Sequence, residues 1–284
     1  MPQIFLATSS DLPAGEPGGA LVVEALAARG LAAAWAVWDD PAVDWGAAEV
    51  VAVRSTWDYH RRPTEFLAWA RAVESRTRLL NGADVFAWNA DKSYLVDLGL
   101  PHVPTARLDH PADLAGVVDD WGACVVKPRV GASGIGLVVV DGSADQTVDL
   151  GVGPWVVQPL VESVRTVGET SVYVFGGRAT SQVDKRPGAG EVRVHEEYGG
   201  SSAPAPLDPE RAALAERAVA HVGELFGRAP AYARIDVMSW QGAWVVGELE
   251  LIEPGLYLDV DPSPAEPFAD VVANLLGRSG VQGV

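Results

Sequence analysis

The chain has 284 residues, 48% of them hydrophobic, enough for one elaborate domain or two to three lobes around a sizeable core. A formal net charge of -17 repels polyanions, so nucleic acid and anionic membrane are poor partners unless basic groups are locally concentrated. The single cysteine, Cys124, excludes an internal disulfide framework and a thiolate zinc site. No apolar run approaches ~18 residues, and MPQIFLATSS lacks a basic segment before an apolar one, so a cytoplasmic protein is expected.

The first ninety residues alternate between strand and helix. QIFLATS, AAAWAVW and AEVVAVRSTW read as strands; GGALVVEALAARGL and PTEFLAWARAVESRT read as helices, the second with Pro63 near its start. Such alternation predicts a parallel sheet, whose ligands bind beyond the carboxyl ends of the strands. Arg54, Ser55, Thr56 and Asp58 fall at one such end, so RSTWDY is either a substrate loop or a solvated turn.

From Asn81 the pattern changes. FAWNADKSYLVDLGLPHVPTARL predicts a short helix carrying Lys92, a stop at Gly99 and a strand entered between prolines. ACVVKP, GIGLVVVD and WVVQPLV follow as strands, and ETSVYVFGGRATSQVDKRP as a hairpin turning at Gly176-Gly177. SSAPAPLDP is the clearest flexible connector. PLDPERAALAERAVAHVGELFG is an amphipathic helix with Leu214, Ala218, His221 and Leu225 on one stripe, and AYARIDVMSWQGAWVVGELELIEP is a second hairpin turning at Gln241-Gly242.

Three constellations carry chemistry. In CVVKPRVGASGIGLVVV a strand delivers Lys127 into a loop with Gly131, Ser133, Gly134 and Gly136, either a phosphate cradle or a glycine-rich hairpin. The lysine precedes the glycines and a strand follows them, so neither a Walker A loop nor a Rossmann turn is present. Lys127 is one of only three lysines, with Lys92 and Lys185, among 21 Lys and Arg residues. Next, Asp236 lies on one strand of the second hairpin, and Glu248 and Glu250, two residues apart, share a face of the other. Three carboxylates converging in an apolar hairpin repel one another unless a cation lies between them, and an oxygen-only set implies Mg2+ or Mn2+; the alternative is an exposed acidic edge, which the apolar AWVV and LI beside it disfavour. Finally, DKRPGAGEVRVHEEYGG gathers Lys185, Arg186 and Arg193, as a triphosphate or acyl-phosphate site requires. His195 in that polar segment reads as an ordinary surface residue and receives no catalytic role.

The order of these segments, NADKSYL, VVKP with its glycine-serine loop, QPLVE, KRP followed by Arg193, and ARIDVM before GELELIEPG, resembles the ATP-grasp superfamily of carboxylate ligases over residues 88–275. ARIDVM particularly resembles D-alanine-D-alanine ligases. KRPGAGEVRV and ELELIEPGLYL resemble the small glutathione-synthetase-like or RimK-like branch, which includes a cycloserine-forming cyclo-ligase. The resemblance implies an α/β ATP-grasp fold with α+β lobes: an amino-terminal parallel-sheet substrate domain (1–90), a small lobe with a glycine-rich lid (91–160) and a large lobe with the metal site (161–284).

By position, Lys92 and Lys127 would grip nucleotide phosphates under the lid. Gln158, Leu160 and Val161 would read adenine, mainly through backbone groups around Leu160, and Glu162 or Glu169 would hold the ribose. Asp236, Glu248 and Glu250 would be the ligands of two magnesium ions, with Glu253 the alternative if the alignment slips, because the usual E-x-N pattern is E-x-E here. Arg234 would stabilise the tetrahedral intermediate, with Arg193, Lys185 and Arg186 as phosphate or substrate contacts. The implied reaction joins a small carboxylate to an amine through an acyl phosphate, releasing ADP. Ring closure within one amino-acid derivative and a kinase-like phosphoryl transfer are the alternatives, and a homodimer is left open.

Overall fold

The computed structural model describes residues 2–142 and 148–278 and contains three sheets. The first is wholly parallel. Strands β1 (Ile4–Thr8), β2 (Ala33–Val37), β3 (Val50–Ser55) and β4 (Arg78–Leu79) lie in the order β2-β1-β3-β4. Helix α1 (Ala20–Ala28) packs on one face through Val22 and Leu26. On the other face, α2 (Pro63–Glu74) and α3 (Ala83–Asn89) pack through Phe66, Val73 and Phe86. Every residue of β3 is buried, as expected for a strand covered on both faces.

The second sheet is antiparallel, in the order β5-β8-β6-β7: β5 (Ala106–Leu108), β6 (Cys124–Pro128), β7 (Val138–Val140) and β8 (Trp155–Pro159). Between β5 and β6, helix α4 (Leu114–Trp121) lays Leu114, Val118 and Trp121 against Cys124, Val126 and Val157. Alternation then sends Val125 and Lys127 to the opposite face.

The third sheet, also antiparallel, has the order β11-β10-β9-β12-β13: β9 (Glu169–Phe175), β10 (Arg178–Arg186), β11 (Ser201–Ala205), β12 (Tyr232–Trp240) and β13 (Ala243–Glu250). Helix α5 (Pro209–Phe226) begins at Asp208, whose carboxylate accepts from the N–H groups of Glu210 and Arg211, and ends at left-handed Gly227. It covers one face through Leu214, Ala215, Ala218, Val219 and Val222 against Val172, Val174, Ile235 and Val246. The last helix, α6 (Ala265–Leu275), packs Phe268 and Val272 beside α1, Tyr173 and Tyr232. Among the described residues no helix is long and apolar enough to cross a membrane.

Two expectations fail here. SSAPAPLDP is not a free connector: residues 201–205 form β11, an edge strand on β10, where Pro204 loses no ladder bond that matters. Leu225 is 53% exposed, because the buried stripe of α5 ends at Val222 as the helix runs past the sheet. The hairpin turns hold: Gly176-Gly177 and Gln241-Gly242 have positive φ at both positions, the geometry that matches strand twist.

Asn81 ties the first sheet to the third. At φ 65° it donates from Nδ2 to the carbonyls of Tyr232 (2.9 Å) and Leu251 (2.7 Å), and its Oδ1 accepts from the Ala231 N–H (2.7 Å). Asn81→Ala strands these buried groups and places alanine in a left-handed conformation. It should lower unfolding free energy by about 2–4 kcal/mol in urea denaturation; a loss below about 1 kcal/mol would contradict the bridging role.

Candidate active site

Arg234 and Asp236 lie two apart on β12, so they share the face opposite α5. Across the hairpin, Arg234 stands opposite Glu250 and Asp236 opposite Glu248. Asp236 is five residues before Gln241 and Glu248 six after Gly242, a mismatch of one. The register shift beyond Asp236 leaves Gly247 as the extra residue. A Cβ on Gly247 would sit 3.2 Å from the Met238 side chain, so the bulge takes glycine. Toward β9 the row continues, with Ser171 opposite Asp236, and Glu169 faces Lys185 of β10.

The side chains on this row neutralise one another. Arg234 donates to both oxygens of Asp236 at 3.0 Å and also to Glu250. Ser171 donates to Asp236 at 2.6 Å, and Lys185 Nζ lies 3.6 Å from Asp236 and 2.6 Å from Glu169. Burial opposes ionisation of Asp236, but Arg234 and then Lys185 outweigh it and hold its carboxyl far below the usual range. Burial opposes ionisation of Glu248 too, and Lys92 at 2.9 Å, with Lys127 beyond it, again prevails. Glu250 goes the other way: burial, then the charges of Asp236 and Glu248, push it up against Arg234. Burial, then Glu250, push Glu253 up to about 8.

Opposite this row stands the glycine loop. Lys92 begins the turn Lys92–Asp97, capped by Asp91, which also accepts from Arg129 Nε at 2.9 Å. Lys92 Nζ donates to the Gly131 carbonyl at 2.7 Å as well as pairing with Glu248. Lys127 makes no ion pair among the described residues, and burial pulls its ammonium below its ordinary value. An ammonium aimed into a cleft without its own counter-ion is suited to an incoming anion. Ser133, Gly134 and Gly136 all have positive φ. The loop rests on the 187–199 segment: a Cβ on Gly134 would lie 3.1 Å from Arg193 Cδ.

Most expected residues line one cleft of about 1170 Å3, open mouth included: Lys92, Lys127, Gly131, Ser133, Gly134, Gln158, Leu160, Val161, Glu169, Arg193, Arg234, Asp236, Glu248 and Glu250. Others do not. Glu162 is turned to solvent and pairs with Arg165, leaving Glu169 as the carboxylate inside. Arg186 is exposed and donates to the Thr166 carbonyl, because alternation along β10 turns it away from Lys185. Lys185 itself is only 1% exposed and lies beneath the cleft floor. Gly136 caps Pro128 outside the cleft. The Leu160 N–H is spent on the Ala123 carbonyl at 2.8 Å, so it does not face the cleft as a free donor.

RSTWDY is not a solvated turn: Arg54, Ser55, Thr56 and Asp58 are buried, while Trp57 lines a second chamber and Tyr59 the first cleft. Arg54 is fully buried, donating to Glu16 (2.7 Å) and the Pro254 carbonyl (2.8 Å) between the rings of Tyr232 and Phe268. It holds one wall of that second chamber of about 970 Å3, open mouth included, lined by Glu16, Trp57, Glu196, Glu197, Tyr257 and Asp259. This chamber shares Ala132, Ser133, His195, Arg234, Glu250 and Glu253 with the first cleft. His195 is the misread residue. Val192 and Val194 are buried beside Leu137 and Leu160, and they line the cleft together with Arg193 and His195; the two valines in EVRVHE, too apolar for a freely solvated segment, were the available signal.

Among the described residues no three carboxylate, imidazole or thiolate groups lie close enough to hold a metal ion as they stand, because Arg234 and Lys92 occupy the carboxylates. The donor chemistry nonetheless fits a hard divalent cation: oxygen ligands only, on one face of one hairpin, with Glu250 pushed up by burial and then by the charges of Asp236 and Glu248.

Comparison with known proteins agrees with this architecture. Residues 4–81 match the family model described as D-cycloserine synthetase DcsG, N-terminal domain. Over 280 residues the chain is 32% identical to the cycloserine biosynthesis protein DcsG of Streptomyces lavendulae, covering 90% of this chain and 92% of that protein. The crystal structure of D-cycloserine synthetase DcsG superposes with a TM-score of 0.83 at 29% identity, covering 96% of this chain and 99% of that one. Two more distant structures share the fold. The ATP-grasp ligase PsnB, complexed with minimal precursor, Mg and ADP, has a TM-score of 0.64 at 18% identity and covers 98% of each chain. D-alanine–D-alanine ligase from Bacillus anthracis, complexed with ATP, has a TM-score of 0.67 at 15% identity, covering 98% of this chain and 99% of that one.

The raised carboxyl of Glu253 makes stability depend on pH. With a folded value of about 8 against an ordinary 4.5, the native state holds a proton that the unfolded chain has released. Its contribution is complete below pH 4.5 and is lost as pH rises through 8. Glu253→Gln should therefore leave nucleotide-free stability at pH 4.5 nearly unchanged and raise it at pH 8.5, by on the order of a few kcal/mol. Parallel urea curves at both pH values would contradict this.

Proposed function

For a chain that belongs to the family of the cycloserine biosynthesis protein DcsG, among the ATP-grasp ligases, we propose ring closure of a small amino-acid derivative, with D-cycloserine the first product to test. ATP would convert the carboxylate to an acyl phosphate, and a nitrogen of the same molecule would displace phosphate. One observation carries this: the cleft below the glycine loop and the acid-walled chamber share Arg234, Glu250 and Glu253, so one small molecule can span both. The chamber's carboxylates favour a substrate with a free ammonium group, while Arg234 is the cation available to its carboxylate. Joining to a separate amine, the broader reading of the sequence, becomes the second reading.

The residues divide the work by charge. Lys127 and Lys92 would meet the phosphates, with the amides of the 131–136 loop closing over them. Leu160, Val161, Val164 and Met238 form an apolar wall suited to adenine, whose edge would meet Gln158 and the backbone at Val161. Glu169 would hold the ribose. Asp236, Glu248 and Glu250 would hold Mg2+, two ions in this reading, and the metal would supply neutralising charge for the triphosphate. In the first step a substrate carboxylate oxygen bonds to the γ-phosphorus as the bond to ADP breaks. In the second, nitrogen attack drives the carbonyl electrons on to oxygen, where Arg234 faces the developing charge. The boundaries 1–90, 91–160 and 161–284 would each contain one sheet, the last including residues 279–284 outside the described range, and the enzyme would act in the cytoplasm.

A screen of small carboxylates with ATP, reading ADP release with hydroxylamine present, tests the reading, because a hydroxamate forms only from an activated acyl group. O-amino-D-serine, the acid obtained by cutting the ring amide of cycloserine, should release ADP and give D-cycloserine. ADP release without hydroxamate or ring product from any acid would point to phosphoryl transfer alone. Lys127→Ala should raise KM for ATP by roughly 10- to 100-fold, about 1.4–2.8 kcal/mol, and an unchanged KM would return the loop to a purely structural role.

A further inference from the structure

We propose that His195 is the proton acceptor of the second step: a ring nitrogen takes the proton shed by the attacking nitrogen as it bonds to the acyl carbon. The inference rests on the ligase reading above and adds to it a residue in contact with the reacting atoms. Six residues border both the nucleotide cleft and the second chamber, and the bond-forming atoms must meet where those spaces join. Ala132 has no side-chain proton acceptor, Ser133 is a weak one, Arg234 is a cation, and Glu250 is paired with Arg234. That leaves His195 and Glu253, and of these only His195 has a buried side-chain polar atom without a hydrogen-bond partner among the described residues.

The imidazole is held for such a task. Val192 and Val194 are buried below it, and its own carbonyl accepts from the N–H groups of Tyr198 (3.0 Å) and Gly200 (3.1 Å), which fixes the backbone. A Cβ on Gly200 would lie 2.2 Å from the Val194 carbonyl oxygen, so this tight return is open only to glycine. The ring's Nδ1 is buried without a hydrogen-bond partner among the described residues. Its Cε1, between the two nitrogens, is 3.4 Å from where a Cβ on lid Gly134 would be, which brings the lid on to the imidazole. The charges felt there are Lys185 from β10, Arg234 and Asp236 from β12, and Glu248 from β13, with the Tyr198 ring at 6.3 Å and Arg193, Glu196 and Glu197 on its own segment. Burial, then Lys185 and Arg234, bring the imidazole down to about 4, so it is neutral at physiological pH with a lone pair free.

A weakly basic acceptor suits a weakly basic nucleophile. The oxygen beside an aminooxy nitrogen withdraws electrons, so that nitrogen enters uncharged and sheds a proton only as the bond forms. In this step the C–N bond forms and the bond from acyl carbon to phosphate oxygen breaks. The electron pair leaves with inorganic phosphate, and the N–H proton passes to His195 and then to water.

Rapid-quench measurement of ADP and ring product separates the steps, with O-amino-D-serine, or the acid with the fastest ADP release in the screen, as probe. His195→Gln should give a burst of about one ADP per enzyme, then ring formation slowed by at least ~30-fold; wild type should show no burst. Hydroxylamine should restore the variant's turnover as hydroxamate, and free imidazole should partly restore ring formation by His195→Ala. Ring formation within twofold of wild type in His195→Gln, loss of the ADP burst together with ring formation, or the burst appearing in Glu253→Gln instead would each overturn the role of His195. Failure of the wild-type enzyme to release ADP or form hydroxamate with any acid would overturn the ligase reading, and this role with it.

Discussion

The guanidinium of Arg234, bonded to both oxygens of Asp236 and to Glu250, is the interaction on which the rest of the site depends. A buried carboxylate row is expensive unless every charge has a partner, and breaking such a row at one end leaves an uncompensated ion inside the protein. Here the row runs across four strands, from Lys185 and Glu169 through Ser171 and Asp236 to Glu248, with Lys92 at its end. The strand pairing therefore sets the electrostatics, and the Gly247 bulge keeps Glu248 and Glu250 opposite Asp236 and Arg234.

A second buried cation joins the first sheet to this hairpin. Arg54, at the end of β3, bonds Glu16 and the Pro254 carbonyl, while Glu16 also accepts from the Leu256 N–H at 2.8 Å. The segment between Glu253 and Tyr257 is thereby pinned from the amino-terminal side, and it walls the second chamber. The parallel sheet thus shapes the site from behind, through an arginine that never meets the cavity. The Asn81 bridge and the Tyr232 hydroxyl, which donates to Val53 and Ile252 carbonyls, carry the same constraint along the seam.

The cleft keeps two cations of different availability. Lys92 is already satisfied by Glu248 and the Gly131 carbonyl, whereas Lys127 is desolvated without a carboxylate of its own. Lys127 is the cation left for an arriving anion, and the loop between β6 and β7 lines the same cleft, turning through left-handed conformations at Ser133 and Gly134. His195 and Arg193 form the surface on which that loop rests, and His195 with Ser133 borders both spaces.

Local chemistry was readable in the chain wherever a short-range rule governs it. Period-two alternation placed Glu248 and Glu250 on one face, Gln241-Gly242 marked the turn before their strand, and rare lysines amid arginines singled out Lys92 and Lys127. What the sequence could not contain were outcomes of competition between distant groups. Whether Lys185 faced the cavity or its floor depended on Glu169 and Asp236. Whether RSTWDY met solvent depended on Glu16 and Pro254, the latter two hundred positions away. A polar segment with one histidine looks solvated until its valines find Leu137 and Leu160 across the fold, and that packing carries the whole segment, His195 included, into the cavity wall. The sequence by itself determined which residues could carry charge and on which side of each strand they stood. The tertiary structure decided which charges cancel and which remain open to the cavity, because pairing and desolvation depend on distances that only folding sets.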